Sequence, residues 1–317
     1  VNCVILLVGD GPARRLTAEE AADYRGPGFV WSHVENAGLD ELPHLVRADI
    51  PDVAANALVA METRPRCDRI DHGAIVNIRG PAAVDLDDSD RLVSIRMWIR
   101  RGKVDSVTRK PLAATAAVTA RMEAGEIIDP GDLVAAFARE ISATLDPQVA
   151  DLGDQLDDCE SMLESGNKFR LRATITKVRS EAISFRRFVA PDRDALITLA
   201  GHDFEWLAED DRLHIREAAD RFARMAEELE AVRERSALLH EQLTDLRAEE
   251  IDQRSLLISV VAFIFLPLTF ITGLLGMNVE GIPDAHDPWA FWEIVILCVA
   301  IAVGVLAWFI RRRWIQR

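Results

Sequence analysis

Residues 255–278 read SLLISVVAFIFLPLTFITGLLGMN, and this stretch decides the fold. No charged side chain occurs from Ser255 to Val279. A helix needs ~20 mostly apolar residues to cross a bilayer, and this run is long enough with some tilt. Its composition is not uniform. Ser255, Ser259, Ala262, Leu266, Thr269 and Gly273 recur at spacings of four and three, which puts them on one helix face. Leu256, Phe263, Phe265 and Phe270 fall elsewhere. A stripe of small and hydroxylated residues in a membrane serves either close helix packing or the lining of a pore, and the stripe alone leaves both open.

Downstream, Ile294–Ile310 form a second apolar run without a polar stripe, which suits a lipid-facing or packing span. Trp289 and Trp292 lie at one end and Trp308 and Trp314 at the other, as an aromatic belt would. Arg247 and Arg254 precede the first span and Arg311, Arg312 and Arg313 follow the second, whereas the loop 279–288 has no Lys or Arg. The positive-inside rule therefore puts both chain ends in the cytoplasm and the loop outside. Two spans cannot enclose a water-filled path, so a channel would need several copies with the polar stripe facing the axis.

Upstream, Ile215, Ala218, Phe222, Met225, Leu229, Val232, Ser236, Leu239, Leu243 and Leu246 follow a 3,4 spacing without a slip. That is a sustained heptad, and neither Pro nor Gly interrupts residues 203–266. One unbroken helix from Asp210 to Gly276 would be ~100 Å long. Its exposed heptad needs a partner, either the helices of 147–207 or copies in other subunits. Between Asp203 and Asp252 there are 16 acids and 7 Lys or Arg, a solvated coiled-coil face or a surface that gathers cations.

The chain has 317 residues and a net charge of −15. After Arg254 the basic residues Arg311, Arg312, Arg313 and Arg317 balance Glu280, Asp284, Asp287 and Glu293, so residues 1–254 carry the whole excess. The pattern is an acidic soluble body on a two-span anchor. With no basic excess to neutralise phosphates, nucleic-acid binding is disfavoured. The four cysteines, Cys3, Cys67, Cys159 and Cys298, are far apart and signal neither a zinc site nor a disulfide framework, as suits a reducing cytosol. Seven histidines show no His-x-x-x-His pair. There is no G-x-G-x-x-G, no G-x-x-x-x-G-K-[ST] and no Ser/His/Asp arrangement, so the sequence is read as that of a non-enzyme without a catalytic cofactor.

Taken in order, residues 2–8 read as a strand buried on both faces, ended by Gly9-Asp10-Gly11-Pro12. The run is too short for a signal segment. Gly28–Val34, Arg69–Arg79, Leu92–Arg100 and Val104–Arg109 read as strands, with a hairpin turn at Arg101-Gly102-Lys103. Leu39–Arg47, Val53–Glu62 (with Pro51 at its start), Pro111–Ala124 and Pro130–Thr144 read as helices. Pro147–Val189 reads as a long helix that Pro191 breaks, with another from Asp192 to Leu207. Asp85-Leu86-Asp87-Asp88-Ser89-Asp90 lacks an EF-hand spacing and reads as a solvated turn. The expected fold class is an α/β N-terminal domain over 1–145 and a helical domain with a stalk over 146–254. The first span follows at 255–278, the outer loop at 279–288, the second span at 289–310 and a basic tail at 311–317.

Pro267-Leu268-Thr269-Phe270-Ile271-Thr272-Gly273-Leu274-Leu275-Gly276-Met277-Asn278, followed by a short acidic loop and a second C-terminal span, resembles the CorA-type divalent-cation transporters. Val279-Glu280-Gly281-Ile282-Pro283 is similar to the zinc-transporting, ZntB-like branch, and the resemblance extends back through Glu62-Thr63-Arg64-Pro65-Arg66-Cys67 and Asn77-Ile78-Arg79-Gly80. It implies a multi-pass protein of the bacterial inner membrane. It also implies a funnel-shaped homopentamer around an axial pore that carries Zn²⁺, or, in the alternative, Mg²⁺ and Co²⁺. The family's selectivity element falls on Gly276, Met277 and Asn278, and its pore-facing pattern on Thr269, Leu266, Ile258, Ser255 and Asp252. Leu266 and Ile258 are then apolar constrictions that gate by dewetting, and Asp252 a ring of carboxylates at the cytosolic exit. Glu280, Asp284, His286 and Asp287 would gather cations at the mouth, and Glu280 departs from the glycine usual in the zinc branch. The energy source, membrane potential or co-transported protons, stays open, as does the reading of the chain as a non-transporting coiled-coil scaffold.

Overall fold

The computed structural model describes residues 2–9, 11–35, 50–60, 64–84, 92–163, 168–277 and 289–315. Two compact units divide it, residues 1–240 and 241–317.

The first unit contains one seven-stranded sheet. Its strands are β1 (Asn2–Gly9), β2 (Gly11–Arg15), β3 (Phe29–Glu35), β4 (Arg66–Ile70), β5 (Gly73–Pro81), β6 (Leu92–Arg100) and β7 (Lys103–Thr108). They lie in the order β2-β1-β3-β7-β6-β5-β4. The β3–β7 pair is parallel and every other pair antiparallel. The β6–β7 turn is tight because Gly102 takes φ +75°, a conformation that side-chain-bearing residues resist.

Helices cover both faces. Helix α1 (Ala18–Asp23) starts at a capping box in which Thr17 and Glu20 satisfy each other's backbone N–H groups. Helix α2 (Asp52–Val59) seats Ala54, Ala57 and Leu58 on Val34, Ile75, Trp98 and Val107. The other face is met by α3 (Ala113–Glu123) and α4 (Pro130–Ser161), whose Phe137 ring packs edge-on to Trp31 at 5.8 Å. Trp31 Nε1 donates to Ser106 Oγ at 2.8 Å, and that hydroxyl lies 2.9 Å from His33 Nδ1. His33 is buried with no partner at Nε2, and desolvation pushes its pKa down to about 4. On the α2 face Arg96 is also buried, and burial, with Arg109 and Arg79 nearby, lowers its pKa to about 10.

Helix α5 (Lys168–Gly201) returns antiparallel beside α4, and α6 runs from Glu209 to Leu275. The heptad residues Ile215, Ala218, Phe222, Met225, Leu229, Val232, Ser236 and Leu239 are all buried. Polar clamps line the bundle's rim: Arg235 reaches Asp157 and Glu160 on α4 at 2.6 and 2.7 Å, and Arg186 of α5 meets Glu230 at 2.9 Å. Own-chain helices thus supply the partner that this part of the heptad required.

Several expectations need correction. Pro191 does not break a helix, and Pro147 does not begin one; both lie inside, α5 and α4 respectively. The carbonyls they deprive of donors belong to Ala143 and Arg187, both exposed, so the lost bonds are not buried. The break falls instead after Ser161. No helix spans Asp192–Leu207, because α5 ends at Gly201. Strand β1 is fully buried only at Leu6 and Val8, with Val4, Ile5 and Leu7 half-buried. Gly11 and Pro12, read with Gly9 and Asp10 as the stop after β1, open a second strand, Gly11–Arg15, paired with it. Arg69–Arg79 is two strands joined by a turn at Asp71, which takes φ 51°. The expected helix Leu39–Arg47 and the acidic run Asp85–Asp90 lie outside the described residues.

Candidate ion-conduction element

In the second unit, α6 carries the first apolar run and α7 (Ala290–Ile315) the second. Both are long and apolar enough to cross a membrane, and none of the apolar side chains in the two stretches is buried within the chain. Phe263 of α6 and Phe309 of α7 meet edge to face at 6.2 Å. Large exposed side chains such as Phe265, Phe270, Ile296 and Val303 remain. Water is a poor solvent for such a surface, and lipid or further copies must cover it.

The helical path sets the candidate residues in register. Asp252, Ser255, Ile258, Leu266 and Thr269 all belong to the unbroken α6 and are exposed. At ~100° per residue they fall within roughly one third of the helix circumference. Ser259 Oγ donates to the Ser255 carbonyl at 2.9 Å, Thr269 Oγ1 to Phe265 at 2.8 Å and Thr272 Oγ1 to Leu268 at 3.0 Å. Each hydroxyl proton is thereby turned back to the helix, leaving oxygen lone pairs outward. That leaves a stripe of acceptors, suited to the hydrogens of a hydrated cation. Pro267 lies inside the helix and has no N–H for the Phe263 carbonyl, an acceptor freed outside this stripe.

The helix closes at Leu275, and the Gly276 N–H donates to the Thr272 carbonyl at 2.9 Å. The φ of Gly276 lies outside the left-handed region, and a Cβ there would stand 3.0 Å from the Thr272 oxygen. Met277 is exposed just beyond. Asn278, Glu280, Asp284, His286 and Asp287 lie outside the described residues.

One cluster was not legible in the sequence. Carboxylate oxygens of Asp129, Asp132 and Asp211 lie within 4.8 Å of one another. Asp129 caps α4 by accepting from the Asp132 N–H, and Asp211 accepts from the Ala208 N–H at 2.8 Å at the start of α6. Burial, then the neighbouring Asp129, pushes Asp211 up to about 7. The available signal was two acidic helix starts, which alone do not say that the starts meet. Asp192 behaves similarly: fully buried, it accepts from the Arg79 N–H at 2.9 Å, and burial holds its pKa well above the usual carboxylate range.

The family model described as CorA-like Mg2+ transporter protein matches residues 26–312. The chain is 31% identical over 271 residues to the zinc transport protein ZntB of Pectobacterium carotovorum subsp. carotovorum, covering 84% of this chain and 81% of that one. It is also 31% identical over 323 residues to the divalent cation transporter CmaX of Pseudomonas aeruginosa, covering 98% and 95%. The structure of full-length CmaX superposes with a TM-score of 0.82 at 29% identity, over 99% of this chain and 98% of that one.

Proposed function

Because the chain belongs to the CorA-like Mg2+ transporter family, we propose that this divalent-cation transporter moves Zn²⁺ through an axial pore built from several copies of the C-terminal part of α6. The observation that carries the pore is the acceptor stripe, which ends at Gly276-Met277-Asn278. Mg²⁺ holds its waters tightly, so a filter that strips them is costly. A filter that accepts hydrogen bonds from the ion's own water shell avoids that cost. The amide oxygen of Asn278 and backbone carbonyls around Gly276 have this chemistry. Met277 packs the loop.

Thr269 and Ser255 continue the acceptor path, Leu266 and Ile258 are apolar constrictions, and Asp252 gives a carboxylate ring at the cytosolic exit. Glu280, Asp284, Asp287 and His286 raise cation concentration at the outer mouth. Both chain ends lie in the cytoplasm of a bacterial cell whose inner membrane holds the two spans. The arginines around the spans and their absence from the loop support this. The assembly is a homopentamer by family resemblance. Zinc is favoured by the ZntB relatives and by Val279-Glu280-Gly281-Ile282-Pro283. Magnesium is the second reading, favoured by the acid at Glu280.

The test is reconstitution into vesicles loaded with a zinc- or magnesium-sensitive dye, with and without a pH gradient. Cation entry at a rate above empty vesicles, faster for Zn²⁺, supports the reading. Absence of flux for every cation, with the assembled protein in the membrane, would leave a coiled-coil scaffold.

A further inference from the structure

The helical hairpin α4–α5 segregates charge. No Lys or Arg occurs from Glu140 to Ser161, whereas Asp146, Asp151, Asp154, Asp157, Asp158 and Glu160 do. Across the hairpin, Lys168–Arg187 carries seven Lys or Arg against the single acid Glu181. Each helix also has a second stripe, opposite the one it buries. On α4, Ala143, Pro147, Ala150, Asp154, Asp157 and Ser161 are all exposed at spacings of four and three. On α5 the exposed set is Phe169, Ala173, Thr176, Ser180, Ile183 and Arg187, at the same spacings. The buried residues Leu171, Ile175, Val178, Ala182 and Phe185 fall ~160° away around α5. A second stripe at heptad spacing on an already packed helix, with small residues at its centre (Ala143, Pro147 and Ala150 on α4; Ala173, Thr176 and Ser180 on α5), is the pattern of a helix with two partners. Ile183 is 48% exposed, so the α5 stripe presents apolar surface.

We propose that the outward face of α5 docks on the outward face of α4 of a second copy of this chain, the basic residues that flank the α5 stripe meeting the acidic residues on and beside the α4 stripe. Three observations favour a second copy over an unrelated partner. The two faces are complementary in charge and both lie on the same chain. Their small residues allow close approach on each side. The two stripes run along the same antiparallel hairpin at matching distances from its tip, so copies related by rotation meet at equal height. Such a contact is heterologous; each copy uses one face of each type, and the set closes into a ring when the rotation between copies divides a full turn. Arg172 and Arg179 on α5 and Asp146, Asp154 and Asp158 on α4 form no ion pair among the described residues. They are the charges left for the neighbour. The proposal rests on reading the chain as a homo-oligomer.

The test uses the full chain in detergent and a carbodiimide, which joins an amine to a touching carboxylate. Lys177 is an exposed amine on the α5 face, 3.9 Å from Glu181. The wild type is expected to give dimer-sized bands whose peptides join Lys177 to Asp151, Asp154 or Asp158, and Lys177→Gln to lose those peptides. Arg172→Glu with Arg179→Glu should lower the dimer yield at least about fivefold, as should Asp154→Lys with Asp158→Lys. The four changes together should restore it, through the new amines and new carboxylates. Native mass spectrometry of the same samples separates the two ideas. An oligomer without α4–α5 cross-links between chains, or without rescue by the fourfold variant, overturns this interface alone. A monomeric wild type overturns the oligomeric reading with it.

Discussion

A Cβ added to Gly131 would fall inside the carboxyl group of Asp211. Gly131 is in the first turn of α4 and Asp211 in the first turn of α6, so one missing methyl group lets two helix starts close on each other. Gly131→Ala should therefore cost about 1–3 kcal/mol through overpacking. Differential scanning of the purified protein checks this, and Asp211→Ala added to it should recover only part of the loss, because the Asp211 Cβ would still stand 2.8 Å from the new methyl group.

Asp211 also makes stability depend on pH. Its folded pKa of about 7 lies above the usual carboxylate value, so the folded state holds a proton that the unfolded chain releases. That contribution is present at low pH and is lost as pH rises through 7. We expect the melting temperature to fall from about pH 4 to about pH 7 in the wild type and to level off above that. In Asp211→Asn, which keeps an oxygen for the Ala208 N–H, the slope should flatten. An equal slope in both would exclude the cluster as its origin.

His33 acts in the opposite range. Its folded pKa of about 4 is below its value in an unfolded chain, ~6.5, so the unfolded state takes up the proton first. Stability is whole above pH ~6.5 and declines toward pH 4, by about 3 kcal/mol at the limit. His33→Phe, which leaves the Trp31–Ser106 hydrogen bond in place, should remove most of this acid sensitivity in pH-dependent denaturant titrations.

At the pore, Asn278→Ala should abolish dye-reported uptake while the oligomer, followed by native mass spectrometry, stays intact. Leu266→Asn should do the reverse. Hydrating an apolar constriction lowers the barrier to wetting, so basal flux should rise about tenfold or more. Unchanged uptake in an assembled Asn278→Ala variant would remove the amide from the mechanism.

Glu280 lies two residues from Asn278. If its carboxylate reaches the ion's water shell, Glu280→Gly shifts the ratio of initial Zn²⁺ to Mg²⁺ rates toward zinc. Neutralising Asp284 and Asp287 lowers both rates together, most at low ionic strength, because exposed charges act through a screened field. A ratio untouched by Glu280→Gly makes Glu280 one more steering charge.

The sequence by itself determined the periodic elements. A charge-free run long enough to cross a bilayer has one physical solution, a helix, because every backbone polar group must be satisfied internally. The heptad from Ile215 to Leu239 is likewise a local signal, and the buried stripe follows it residue by residue. The stripe from Asp252 to Thr269 needed only helical geometry to be seen. Tertiary structure decided whatever depends on what lies opposite. Pro147 and Pro191 stay helical because their freed carbonyls belong to exposed residues, a property of position rather than of proline. Gly11–Arg15 is a strand because β1 offers it a free edge, although its Gly and Pro argue against one. Asp129 and Asp211 share a site because α4 and α6 start side by side, and only that meeting lifts a carboxylate into the neutral range. Local pattern records what a segment can form; long-range contact sets which of its groups lose water, and desolvation is what shifts a pKa.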